Sequence, residues 1–330
     1  MKITINIPSL FRFTRPKRSE SFRRPALFVE QAYRLLTRLS SNLSHSTMRN
    51  YVTALRSFST FLRDGDVPVS AITPHLVRCY ADWLTSNGVG ANTTSCYLRS
   101  LRALYNRMLR SRNKRQDSPF SGLFTGNVPT EKRAVPISDM RKLRTLHLAE
   151  NSRLQLYLDL FLFCFYAMGM PFADAVRLRW TQVHGDYIEY RRKKTGRSVR
   201  IGIEPCMRAI MHRYYRQGNV YVFPILPHKA AGATLCRVYR SALGRYNRAL
   251  KRIALLAGVR RNLSSYVPRH TWATQAYSHK VEMAVIAQAL GHATTRTTWS
   301  YVKQARSGAL AAANRKIIKE INAKTYAEEL

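Results

Sequence analysis

The segment Leu154–Ala167 is apolar almost from end to end. A helix that is hydrophobic on every face has no place at a surface. It is also shorter than the roughly 20 residues that cross a bilayer. It is therefore expected as the central helix of a globular domain. A chain of 330 residues, 45% hydrophobic, can enclose that helix and build a second modest domain. The start, Met1-Lys2-Ile3-Thr4, lacks the long apolar core of a signal peptide. Five cysteines (Cys79, Cys96, Cys164, Cys206, Cys236) are scattered and odd in number, as in a reducing compartment. The expected location is cytoplasmic, on the nucleoid. No metal-ligand spacing or glycine-rich phosphate loop is present, so no cofactor is expected.

The formal charge is +37, from 55 Lys and Arg against 18 Asp and Glu. That excess is spread along the chain, and nucleic acid is the polyanion it fits. Residues 1–24 are polar and basic, with little helical period, and read as a flexible arm able to track phosphates. Residues 25–115 read as helices only. Ser46 or Thr47 is expected to cap a helix whose stripe is Met48, Tyr51, Val52, Leu55, Phe58 and Leu62. A second helix is expected over 74–86, and a third after Asn92. Arg49, Arg56, Arg99 and Arg102 lie between the apolar stripes, as in a helical module resting on a DNA backbone.

Residues 116–136, with Pro119, Gly122, Gly126 and Pro129, read as a linker, after which Ser138 is expected to cap a new helix. The second domain, 137–305, reads as mainly helical with one small antiparallel sheet. Gly169–Phe172 is expected as a turn and Asp174–Trp180 as a helix. Alternation over Tyr187–Arg192 predicts a strand, Lys194-Thr195-Gly196 a turn, and Ser198–Ile201 the returning strand. Residues 306–330 can form a terminal helix carrying Leu310, Ile317, Ile318 and Ile321.

Tyr266-Val267-Pro268-Arg269-His270-Thr271-Trp272-Ala273-Thr274 is followed by Leu290-Gly291-His292 and then by Tyr301. Val281, Ala284, Val285, Ala289 and Leu290 follow a helical period that Gly291 stops. Breaking a phosphodiester without metal needs a nucleophile, cations for the charged transition state and an acid for the leaving oxygen. Tyr301 can be the nucleophile. Arg269 can hold two phosphate oxygens with its planar fork, and His292 can donate to the same phosphate. His270 is expected to brace the fold.

The order and spacing of these elements resemble the C-terminal signature of the tyrosine recombinase (phage integrase) family, R-H-x-x-A-T … L-G-H … Y. The stretch from Ser44 to Phe58 is similar to that family's core-binding domain. The resemblance implies an N-terminal helical, SAM-like DNA-binding domain and an α+β catalytic domain. It implies a 3′-phosphotyrosine intermediate on Tyr301, which lies nine residues after His292. It also implies a hairpin lysine acting as general acid, Lys194, with Lys193 as the alternative. The implied partners are double-stranded DNA at specific sites, a homotetramer linked by exchanged C-terminal tails, and in some cases an accessory DNA-bending protein.

Two positions depart from the pattern. Tyr266 stands where the family usually has a His, and its hydroxyl can still donate to a phosphate. Pro171 stands where the first catalytic Arg belongs, with Arg153, Arg177 and Arg179 as candidate substitutes and Asp174 at the family's acidic position. Phe165-Tyr166-x-x-Gly169-Met170-x-Phe172-x-Asp174, with Tyr190-Arg191-Arg192-x-Lys194-Thr195, resembles the integrase and invertase branch common in Bacteroidetes, which often lacks that Arg. Site-specific strand exchange is the expected activity. The alternatives are a catalytically degraded DNA-binding accessory protein and a type IB topoisomerase.

Overall fold

A computed structural model describes residues 26–109, 118–128, 133–150, 152–228, 231–292 and 295–299. The basic arm, much of the linker, Tyr301 and the terminal helix expected over 306–330 lie outside the described residues. The chain divides into two compact units, Met1–Pro129 and Thr130–Leu330.

The described part of the first unit is helical: α1 (Phe28–Leu39), α2 (His45–Phe61), α3 (Pro74–Ser86) and α4 (Ala91–Met108). Three of these four start where a side chain supplies acceptors for the orphan amides of the first turn, and α4 has no side-chain cap. For α1 the acceptor comes from far along the chain, since the Asp66 carboxylate takes the amides of Val29 and Glu30 at 2.8 and 2.9 Å. Ser44 caps α2, accepting from the Thr47 amide at 3.1 Å, two or three residues before the expected cap. Thr73 and Pro74 open α3 as cap and first helical residue. Helix α4 begins at Ala91, ahead of Asn92. The Asn92 side chain is held by the Val128 backbone, donating to its carbonyl and accepting from its amide. Phe28, Leu55, Phe58, Tyr80, Leu98 and Leu104 form the core of the unit.

In the second unit, α6 (Arg153–Tyr166) is the expected central helix, with Leu158, Leu160, Phe161 and Phe163 almost wholly buried. Its one buried acid, Asp159, accepts hydrogen bonds from Gln155, Arg213 and Tyr214. Around it stand α5 (Ile137–Thr145), α7 (Phe172–Ala175), α8 (Pro205–Arg213), α9 (Gly232–Leu256) and α10 (Val267–Ser278). The short helices α11 (Met283–Ala289) and α12 (Thr295–Trp299) follow. An antiparallel sheet runs β1 (Val183–His184), β2 (Tyr187–Arg191), β3 (Ser198–Gly202), with Tyr190 opposite Val199 and Arg191 opposite Ser198. Among the described residues, no helix is long and apolar enough to cross a membrane.

Three local expectations are corrected. Helix α5 starts at Ile137, with Pro136 at the cap position and no side-chain cap, so Ser138 is already inside it. The helix expected over Asp174–Trp180 is a single turn ending at Ala175. Beyond it the backbone pairs with a distant segment, Val222 donating to the Leu178 carbonyl at 2.9 Å and Trp180 to that of Val220 at 3.2 Å. That ladder competes with the helix and wins. The apolar period through α11 holds at Leu290, buried with Ile286, and at Val281, which packs on them, but fails at Val285, which is half exposed.

Candidate active site

Arg269 lies in the first turn of α10 and is 2% exposed. Its guanidinium donates to the Gly169 carbonyl at 2.9 Å and to the Leu290 carbonyl at 2.5 Å. It also stands 2.9 Å from His292 Nε2. A guanidinium has no acceptor, so Nε2 must accept, which puts the imidazole proton on Nδ1. Nδ1 then donates to the Thr298 hydroxyl at 2.9 Å. Arg269 and His292, separate in sequence, thus form one buried pair.

Gly169 allows the close approach. It sits at φ +72°, and a Cβ there would stand 2.9 Å from the Arg269 Cα. Gly169→Ala is expected to cost about 2–4 kcal/mol, combining the left-handed backbone penalty with overpacking against α10. Equilibrium urea unfolding measures it, and a loss below about 0.5 kcal/mol would show that the turn yields freely.

The β2–β3 hairpin reaches the same turn. Lys193 and Lys194 are exposed at its tip, which closes through Arg192 and Arg197 backbone pairing at 2.8 Å, with Gly196 at φ +69°. The Lys193 amide donates to Asp174 Oδ1 at 2.9 Å. Burial, then the charges of Arg269, Arg192 and Lys194, push the His292 pKa down to about 4.

The sign of that shift has a consequence for stability. The unfolded chain takes up the His292 proton near pH 6.5, whereas the native state resists it down to about 4. Stability is therefore unaffected by this group above pH 6.5 and falls as pH drops through that window. Unfolding curves at pH 7 and pH 5 should converge in His292→Asn relative to wild type. An unchanged pH slope would assign the acid sensitivity elsewhere.

Tyr266 is the N-cap residue of α10, 47% exposed, with its ring 6.3 Å from that of His270. The three candidate substitutes for the first Arg have separate neighbours. Arg177 donates to the Ala173 carbonyl and covers the Tyr239 ring, Arg179 lies exposed over Tyr221, and Arg153 is exposed at the start of α6. The second buried guanidinium of the site is Arg192, 7% exposed, which the sequence reading missed. The signal was available: Ile188, Tyr190 and Arg192 share one face under strand alternation, and all three are buried. Thr298 and Arg197 were also missed.

In the first unit, Arg49 and Arg56 are exposed on α2. Arg99 and Arg102 are half-buried and brace a loop, Arg99 donating to the Thr125 carbonyl at 3.2 Å and Arg102 to the Thr125 hydroxyl at 3.4 Å.

Residues 139–307, more than half of the chain, match the phage integrase family, and residues 32–112 match the phage integrase N-terminal SAM-like domain. The chain is 24% identical over 282 residues to the tyrosine recombinase XerC of Rickettsia canadensis, covering 80% of this chain and 88% of that relative. Its fold is similar to the Tn1549 transposon integrase solved with transposon right end DNA. That comparison has a TM-score of 0.65 at 14% identity and covers 89% of this chain and 100% of the other. It is also similar to lambda integrase in a tetramer bound to a Holliday junction, with a TM-score of 0.61 at 12% identity, covering 85% and 78%. The catalytic match contains the Arg269–His292 pair, the hairpin and Tyr301, and on this ground the chain belongs to the phage integrase family of tyrosine recombinases.

Proposed function

We propose that the chain cuts and rejoins double-stranded DNA at specific sites through a covalent bond between Tyr301 and a 3′-phosphate. The observation that carries this reading is the buried Arg269–His292 pair, held on the turn that the Lys194 hairpin approaches. The phenol of Tyr301 releases its proton to solvent, its oxygen attacks phosphorus, the bond from phosphorus to the 5′-oxygen breaks, and Lys194 gives that oxygen a proton. The reverse attack by another strand's 5′-hydroxyl releases Tyr301. Arg269 has a planar fork suited to two nonbridging oxygens. An incoming phosphate competes with His292 Nε2 for Arg269, and its negative charge favours the doubly protonated imidazole, which then donates in turn. Tyr266, half exposed beside them, takes the donor position that a His usually fills.

In this reading residues 25–115 bind DNA through Arg49, Arg56, Arg99 and Arg102, with Lys193 tracking the backbone beside the catalytic domain, 137–305. Residues 1–24 act as a basic arm and 116–136 as the linker. Four copies assemble on two sites, exchanging the tails 306–330, with an accessory DNA-bending protein where the sites require it. The similar fold of lambda integrase, solved as a tetramer on a Holliday junction, supports the count of four copies. The +37 charge and the lack of a membrane-crossing helix among the described residues fit a cytoplasmic protein on the nucleoid.

The test is covalent capture. Duplexes enriched for binding from a randomised library, nicked so that the cleaved fragment diffuses away, should leave an adduct that survives denaturing electrophoresis. Specific binding without any adduct would leave a DNA-binding accessory protein in place of the enzyme. Relaxation of supercoiled plasmid regardless of sequence would point to a topoisomerase.

A further inference from the structure

We propose that Arg192 and Arg197 are positioning residues that clamp the Lys194 hairpin to the His292 turn, so that the acid and the phosphate donor move as one unit. The two arginines flank the hairpin tip and reach three consecutive carbonyls. Arg192 donates to those of Leu290 and Gly291 at 2.6 and 3.1 Å. Arg197 donates to that of His292 at 2.7 Å. Beneath them Asp174 fixes the hairpin from the other side, with Oδ2 3.5 Å from Arg192 Nε and Oδ1 accepting the Lys193 amide. The Leu290 carbonyl also accepts from Arg269, so one oxygen joins the phosphate-binding arginine to the clamp.

The packing is built for this contact. Gly291 sits at φ +61°, and a Cβ there would run into the Arg192 Cδ and come within 3.1 Å of Val199 Cγ2. The Arg192 stem therefore lies directly under the Gly291 backbone. A buried guanidinium with one carboxylate neighbour costs more to hold than an apolar side chain would. What it supplies is geometry: Nη1 reaches two carbonyls while Nε faces Asp174, and the single nitrogen of a lysine cannot occupy both places.

The inference rests on the strand-transfer reading, and the experiment separates the two. The probe is a library-enriched, nicked duplex, made with oxygen or with sulfur at the 5′-bridging position of the bond that wild type cleaves. A thiol leaving group, with a pKa of about 8.5, departs without a proton donor. Arg192→Lys should slow cleavage of the oxygen substrate about 10- to 100-fold and cleave the sulfur substrate within about threefold of wild type. Arg197→Ala, at an exposed position with a single carbonyl bond, should show the same pattern more mildly and carries the test if the first variant unfolds. Equal losses on both substrates, or none on oxygen, overturn the proposal. Amide hydrogen exchange on the intact chain gives a readout without turnover. Exchange in 192–197 and 290–292 should quicken together in Arg192→Lys while α6 stays protected, and unchanged exchange in either segment overturns the clamp. A wild type that forms no adduct removes the strand-transfer reading, and exchange still decides the clamp.

Discussion

Tyr301→Phe is expected to abolish the covalent protein–DNA adduct while leaving DNA affinity within about twofold of wild type, because affinity is carried by phosphate contacts spread along the chain. Phenylalanine keeps the ring and removes the one oxygen that can bond to phosphorus. The demand on that oxygen is severe, since a free phenol has a pKa of about 10 and is nearly all protonated at neutral pH. The positive charges of Arg269, Arg192 and Lys194 disfavour protonated His292, and the same field favours a phenolate brought beside them. Labelled nicked duplex on a denaturing gel checks the outcome. Undiminished adduct would transfer the nucleophile to another of the 18 tyrosines. Buried tyrosines are poor replacements: desolvation raises the phenol pKa of Tyr190 and Tyr246.

The sequence makes the regular parts of this fold readable, and particular residues show where reading stops. Helix α3 was legible because Thr73, Pro74 and the stripe Val77, Tyr80, Leu84 all point the same way. Helix α6 was legible because nothing except burial suits so apolar a segment. Asp174–Trp180 misled because its local pattern is helical, whereas its backbone pairs with residues 220–222, a contact that no window of sequence contains. No element was assigned over 203–265, although Ala242, Tyr246, Leu250 and Ile253 of α9 have helical spacing and are buried. The frequent arginines between them hide the stripe.

In the site the same division holds. The Arg269–His292 pairing was legible as a motif, since an Arg-His-x-x-Ala-Thr stretch and a Leu-Gly-His turn have little other reason to occur together. Arg192 carried a weaker signal, its strand alternation with Ile188 and Tyr190, masked because in Arg191-Arg192-Lys193-Lys194 it looks like one of four solvated charges. In the fold three of the four face water while Arg192 is enclosed. Pro171 had the opposite effect, since its missing guanidinium directs attention to nearby arginines. Arg153, Arg177 and Arg179 are near in sequence, but Arg177 donates to the Ala173 carbonyl and covers Tyr239, Arg179 lies over Tyr221, and Arg153 is exposed at the start of α6.

Arg269→Lys is expected to lower the rate of covalent cleavage about 100- to 1000-fold, the usual loss when one preorganised donor to a developing charge is removed. The substitution keeps the charge, so any large effect must come from geometry. The arginine bonds Gly169, Leu290 and His292 from two nitrogens at once, and an ammonium on a flexible stem cannot hold all three. Part of the loss is structural, because the Gly169 and Leu290 carbonyls lose buried donors, and a lowered unfolding midpoint is expected as well. The catalytic part is isolated by rescue. In Arg269→Ala, added guanidinium ion should restore cleavage at concentrations that leave the unfolding midpoint unchanged, and ammonium ion should not. Cleavage by Arg269→Lys within about threefold of wild type would mean that charge alone suffices and that the fork has no part in holding the phosphate.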